Sequence, residues 1–175
     1  MRRARARIAA LVAFSCLVWC TPTSNLPAQS KALSTQELTS RSDVVVIGTV
    51  SGMQSEWNSE KTRITTRVTI DVREFLKGGN GEQQITVLTP GGEIGDVGEM
   101  YSGAARFRHH EEVVVFGHKK TGHDHEVVGG DQGKVPVIED KLTREKTVHR
   151  GIRLEDFRSE VRSAAQANRP GERKP

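Results

Sequence analysis

TRITTRVTIDVREFLKG, residues 62–78, decides the fold. Ile64, Thr66, Val68, Ile70 and Val72 occupy alternate positions, with Arg67, Thr69, Asp71 and Arg73 between them. Side chains of an extended chain point to opposite faces in turn, so this period of two describes a strand with one apolar and one polar side. The segment is well beyond the usual strand length of about 5–6 residues, which predicts a bend or bulge within it. Phe75 and Leu76 break the alternation just before a glycine-rich turn at KGGNGE.

Strands are also predicted on both sides. SDVVVIGTVSG, residues 42–52, holds an unbroken apolar run from Val44 to Ile47, which predicts a strand buried on both faces or lying at a barrel seam. The polar connection MQSEWNSEKT follows it, and QQITVLT supplies a short third strand. EEVVVFG and HEVVGG read as two more strands around GHKKTGHD, and KVPVIED with KTVHRG as a last hairpin whose Pro136 marks an edge. At one end, Ser34 and Glu37 in LSTQELTSRSD have capping-box spacing, with Leu33 and Leu38 placed to staple the turn. At the other, Leu154, Phe157, Val161 and Ala164 or Ala165 form one apolar helical stripe. Six to seven short strands, one of them long and bent, with a short N-terminal helix and a C-terminal amphipathic helix, predict a mainly β protein. Its expected form is a small OB-like barrel over residues 33–167, followed by a disordered tail at 168–175.

The start of the chain has a different character. MRRARAR followed by the apolar IAALVAFSCLVW is the pattern of a secretory signal, and residues 1–28 are expected to be signal peptide and cleavage region. The apolar run falls short of the roughly 20 residues a membrane-spanning helix needs, so no transmembrane span is expected in the mature chain. A periplasmic or extracellular location follows, with lipid anchoring at Cys16 or Cys20 as the competing reading. No disulfide framework is expected, because both cysteines lie in this segment. The net charge of +4 falls to about zero without Arg2, Arg3, Arg5 and Arg7. A concentrated positive surface, which nucleic-acid binding requires, is therefore not expected.

Candidate chemistry is sparse. The glycine-rich PGGEIGDVGEMYSGAA, residues 90–105, lacks the Lys and Ser/Thr of a phosphate-binding loop, carries Glu93, Asp96 and Glu99, and reads as a surface loop. No G-x-S-x-G nucleophile elbow occurs. Glu111 and Glu112 are sequence neighbours on a strand, so they point to opposite faces and cannot act as an acid–base pair; they are expected to end a hairpin in solvent. Five of the six histidines fall in HHEEVVVFGHKKTGHDHEVVGG, residues 109–130. If KKTG turns a hairpin, His118 and His123 face each other across it and His125 joins His123 on one side, a set that could hold zinc or copper. The alternative is imidazoles on a wet turn with no ligand. Trp57, in a polar stretch, is a candidate contact residue for a partner.

The order SDVVVIGTV, TRVTIDVREFLKG, PGG, FRHHEEVVVF, GGDQGKVPV, LEDFRSEVR resembles a family of exported bacterial β-barrel domains. Such domains occur alone and beside secreted matrixin-type metalloproteases. The strand-then-Lys-Gly layout is also similar to the barrel of tissue inhibitors of metalloproteases and netrin-type modules. The resemblance implies an OB-like barrel and carries over no catalytic residue. The inhibitors engage a protease metal through an N-terminal cysteine, for which the expected mature chain offers no counterpart. His118, His123 and His125 lie outside these motifs. The expected function is thus an exported, non-enzymatic module binding a protein or envelope component. A metal-binding protein built on the histidines and a structural envelope protein are the alternatives.

Overall fold

The computed structural model describes residues 31–79 and 81–168. The expected signal segment with Cys16 and Cys20, and the expected tail from residue 169 on, lie outside the described residues.

The wall of the fold is built from α1 (Thr35–Arg41), β1 (Val44–Trp57), β2 (Ile64–Lys77) and β3 (Gln84–Pro90), then β6 (Glu112–Lys119), β7 (Asp124–Val127), β8 (Lys134–Pro136) and α2 (Leu154–Ala167). Two small hairpins are added to it: β4 (Gly92–Ile94) with β5 (Val97–Glu99), and β9 (Ile138–Glu139) with β10 (Lys146–Thr147). The main sheet has six strands in the order β1-β2-β3-β7-β6-β8, and β1 also pairs with β6. That last pairing closes five strands into a barrel of OB-like order, and β8 continues outside the closure on β6. All the neighbours run antiparallel except β3 and β7, which run parallel through Thr86–Asp124, Val87–His125 and Leu88–Glu126.

β1 can join two neighbours because both of its faces are apolar. Val46 and Val50 point into the barrel, where they pack with Val68, Ile70, Val87, Val113 and Val115. Val45 and Ile47 point outward into a second core with Leu38 of α1 and Leu154, Phe157 and Val161 of α2. Each large apolar side chain so buried stabilises the fold by about 1.5–3 kcal/mol relative to exposure. β1 and β2 cross closely at Gly48, where any Cβ would run into the Asp71 carbonyl and Ile70.

The bend expected in the long strand is present as register shifts. Arg73 and Leu76 of β2 have no Cα partner on β1, and Ser51 of β1 has none on β2. Upstream of Arg73 the alternation reads directly as burial, with Ile64, Thr66, Val68 and Ile70 inside. The helix ends are also as expected. Ser34 and Glu37 form the complete capping box, and Leu33 packs with Leu38 against the outer core. Lys77 donates to the Thr39 and Ser42 carbonyls, each at 2.7 Å, and so ties the end of α1 to β2. No helix among the described residues is long and apolar enough to cross a membrane.

Candidate functional site

The barrel is open at one end. β6 accompanies β1 only as far as Thr49–Glu112, and β1 then runs on with β2 alone to Trp57–Ile64. The inward-facing Met53 and Ser55 of β1 and Thr66 of β2, with Thr89 at the end of β3, form the floor of a cleft of about 530 Å³. The β4–β5 hairpin makes one lip, and the segment from Ala104 to Phe107 makes the far side. Phe107 and Ala105 reach down from that segment into the barrel core. Gly92 lets the hairpin lie this low, because a Cβ there would strike the Ser55 and Thr66 hydroxyls.

Polar contacts hold the hairpin in place. The Ile64 carbonyl accepts the Gly91 N–H at 2.9 Å, and the Ile64 N–H donates to the Glu99 carboxylate at 2.9 Å. The Tyr101 hydroxyl donates to Glu99 at 3.0 Å and accepts from Arg63 at 2.7 Å, while the Arg63 guanidinium sits 5.5 Å from the Tyr101 ring centre. The Ile64 N–H, helped by the Tyr101 hydroxyl and the Arg63 charge against some desolvation, holds the Glu99 carboxyl below the usual range. A lowered folded pKa means that the unfolded chain takes up the proton first. The stabilisation is therefore complete above the ordinary glutamate pKa of about 4.3 and is lost as pH falls through the lowered value. The Ile64 amide proton shift, followed by NMR in an acid titration, should show a midpoint below that of an ordinary glutamate and no such step in Glu99→Gln. An ordinary midpoint would mean that this clasp does not hold in solution.

The cleft hydroxyls are engaged among themselves and with the backbone. Ser55 and Thr66 lie 3.0 Å apart, Thr66 donates to the Gly91 carbonyl at 2.7 Å, and Thr89 donates to the Ala105 carbonyl at 2.8 Å. Two large apolar side chains stand in water here, Val97 of β5 at 48% and the cleft-lining Met100 at 76% exposure.

The expected histidine set is not brought together. The β6–β7 register places His118 opposite Glu126 and His125 opposite Lys119. His118 and His125 therefore lie on opposite faces of the sheet, and His123 falls in the turn rather than facing His118. His118 is exposed and bonds Asp43 at 2.8 Å, whereas His125 is buried with its ring 3.4 Å from the Thr86 carbonyl. Among the described residues no group of three or more His, Cys, Asp or Glu could hold a metal ion. Trp57 is not in a polar loop; it ends β1 opposite Ile64, half-buried.

Glu111 and Glu112 do point apart, but not into solvent. Glu111 pairs with Lys134, and Glu112 with Arg73 and with Lys146 at 2.6 Å; both carboxylate side chains are only 17% exposed. A cavity of about 480 Å³ at the start of α2 is lined by Arg73, Arg144, Lys146, Arg153 and Arg158. Each of these cations already has a carboxylate: Arg144 has Glu139 at 3.0 Å, Arg153 has Asp156 at 2.9 Å, and Arg158 has Glu155 and Glu74 at 2.6 and 2.9 Å. The network fastens α2 and the β9–β10 hairpin to the barrel.

Sequence reasoning passed over the cleft. Residues 90–105 read as a surface loop but contain a hairpin, with Ile94 and Val97 paired around Gly95-Asp96 and Gly95 at φ +59°. A Gly-Asp pair between two β-branched residues was the available signal. Fold and cleft together define an OB-like barrel module with one open, cleft-bearing end. No protein-family model matches the chain, and a search of curated proteins finds no match.

Proposed function

We propose that this chain is an exported, non-enzymatic binding module that receives a protein or envelope component in the cleft at the open end of its barrel. The observation carrying this reading is Met100, a large apolar side chain that lines a preformed concavity and is 76% exposed to water. Val97 of β5 adds a second exposed apolar side chain three residues before it. The hydroxyls of Ser55, Thr66 and Thr89 bond one another or backbone carbonyls rather than an imidazole or carboxylate base, which favours binding over nucleophilic chemistry. The outer face of β1, β2 and β3, where OB barrels hold oligonucleotides or sugars, supports the choice of partner class. Its central Arg67 is taken up by Asp124 at 2.6 Å and Glu56 at 3.2 Å. Export rests on the basic start and short apolar run of residues 1–19.

Photo-crosslinking in the native envelope or secreted fraction tests the site. Benzoylphenylalanine at position 100 is expected to capture a discrete partner at several times the yield obtained at position 142. Leu142 is the control because it is 94% exposed on the remote β9–β10 connection. Equal capture at the two positions would remove the cleft from the account.

A further inference from the structure

The second half of β1 has a ladder on one side only. Gly52, Gln54 and Glu56 lie opposite Thr69, Arg67 and Thr65, and the Asn58 N–H continues the series to the Arg63 carbonyl at 2.8 Å. In an antiparallel pair the backbone groups of successive residues point alternately toward and away from the partner strand. The N–H and C=O groups of Met53, Ser55 and Trp57 are thereby turned away from β2. Upstream, the same side of β1 is fully used. Val50 donates to the Glu111 carbonyl and accepts from the His110 N–H, both at 2.9 Å, and Val44–Thr49 pair with β6. Past that point, no hydrogen bond to the backbone of Met53, Ser55 or Trp57 on this side is made among the described residues. The far side of the cleft is similar. The Ala105 carbonyl takes the Thr89 hydroxyl, and the segment from Ala105 to Phe107 joins no strand.

An unpaired edge is a template for another strand, and proteins blunt such edges with proline or lysine. The run Met53–Trp57 contains neither. We propose that this edge takes up an extended segment of a partner polypeptide, which adds beside β1 and points alternate side chains into the cleft toward Met53, Met100 and Phe107. The inference rests on the binding-module reading above and supplies the chemistry of its partner: a strand-forming stretch with apolar residues at every second position. Donors and acceptors repeating along the edge every two residues, about 6.6–6.8 Å, match the backbone of a peptide. Met53, Met100 and Phe107, all of which line the cleft, supply the apolar contact.

The probe is a pool of nine-residue peptides alternating Val, Leu or Phe with Thr, Ser or Lys, titrated against the isotope-labelled full chain. Binding is expected to slow amide exchange at Met53, Ser55 and Trp57 by about tenfold or more, and to leave Gln54 and Glu56 unchanged because they already bond to β2. In the tightest peptide, backbone N-methylation at alternate residues should weaken binding about tenfold in one parity and little in the other. Ser55→Pro should cause a similar loss, since it removes the N–H turned away from β2, together with the hydroxyl that meets Thr66. If that variant fails to fold, the parity pattern decides alone. Binding indifferent to methylation parity would overturn strand addition and leave the module reading standing. So would no peptide binding alongside successful capture at position 100, whereas failure of both would end both readings. Protection of Met53, Ser55 and Trp57 in the free chain would show that the chain's own terminal residues occupy the edge, and would overturn a partner strand.

Discussion

Phe157→Ala is expected to lower the unfolding free energy by about 3–5 kcal/mol, a large part of the roughly 5–15 kcal/mol that holds a domain of this size. The ring is 1% exposed and meets Phe116 edge-on, with centroids 6.3 Å apart at 86°. His149 lies against it at 5.8 Å. Truncation removes the contact and leaves a hole between α2 and the outer face of β6. That hole cannot easily collapse, because the strand behind it is held in ladders by β1, β7 and β8. Urea denaturation followed by circular dichroism measures the loss, with Leu142→Ala expected within about 0.5 kcal/mol of the wild type. A loss below about 1 kcal/mol for Phe157→Ala would mean that α2 does not pack against the barrel in solution.

Gly48→Val should be at least as damaging, at about 3 kcal/mol or more, by overpacking rather than by a cavity. The added Cβ would meet the Asp71 carbonyl and lie 2.6 Å from Ile70 Cγ2. A flexible side chain can move aside, but a carbonyl within the β1–β2 ladder moves only with its strand. The expected result is a lower denaturation midpoint together with loss of slow-exchanging amides along Val44–Val50. Gly98→Ala is the comparison, since its nearest neighbour, Glu93 Cγ, lies at an ordinary 3.5 Å. A wild-type midpoint for Gly48→Val would show that the crossing is looser than drawn.

The fold was legible wherever one local rule determined one element. The alternation at 64–72, the unbroken run at 44–47, the capping box at Ser34 and the stripe at 154–164 each correspond to an observed element. Closure of the wall was legible only through the doubly apolar β1, because pairing partners are set by contacts distant in sequence. The cleft was harder to see. It exists because β6 stops before β1 does, and strand lengths on different parts of the chain carry no common local signal. The expected juxtaposition of His118 and His123 failed for a related reason: cross-strand partners depend on register, and a shift in pairing put Glu126 rather than His123 opposite His118. Glu112 misled because a carboxylate at a strand end looks solvated until the cations that reach it, Arg73 and Lys146, are brought in from elsewhere.

Ser51, the residue of β1 with no counterpart on β2, inverts the phase of the strand. Before it, the even-numbered Val46 and Val50 face the interior; after it, the odd-numbered Met53 takes that place. One extra residue thus lets a single strand serve as a doubly covered partition along its first half and as a one-sided rim along its second. The two halves consequently face different rules of substitution. Val44–Ile47 are buried on both faces, while beyond the inversion Gln54 and Glu56 turn outward to solvent.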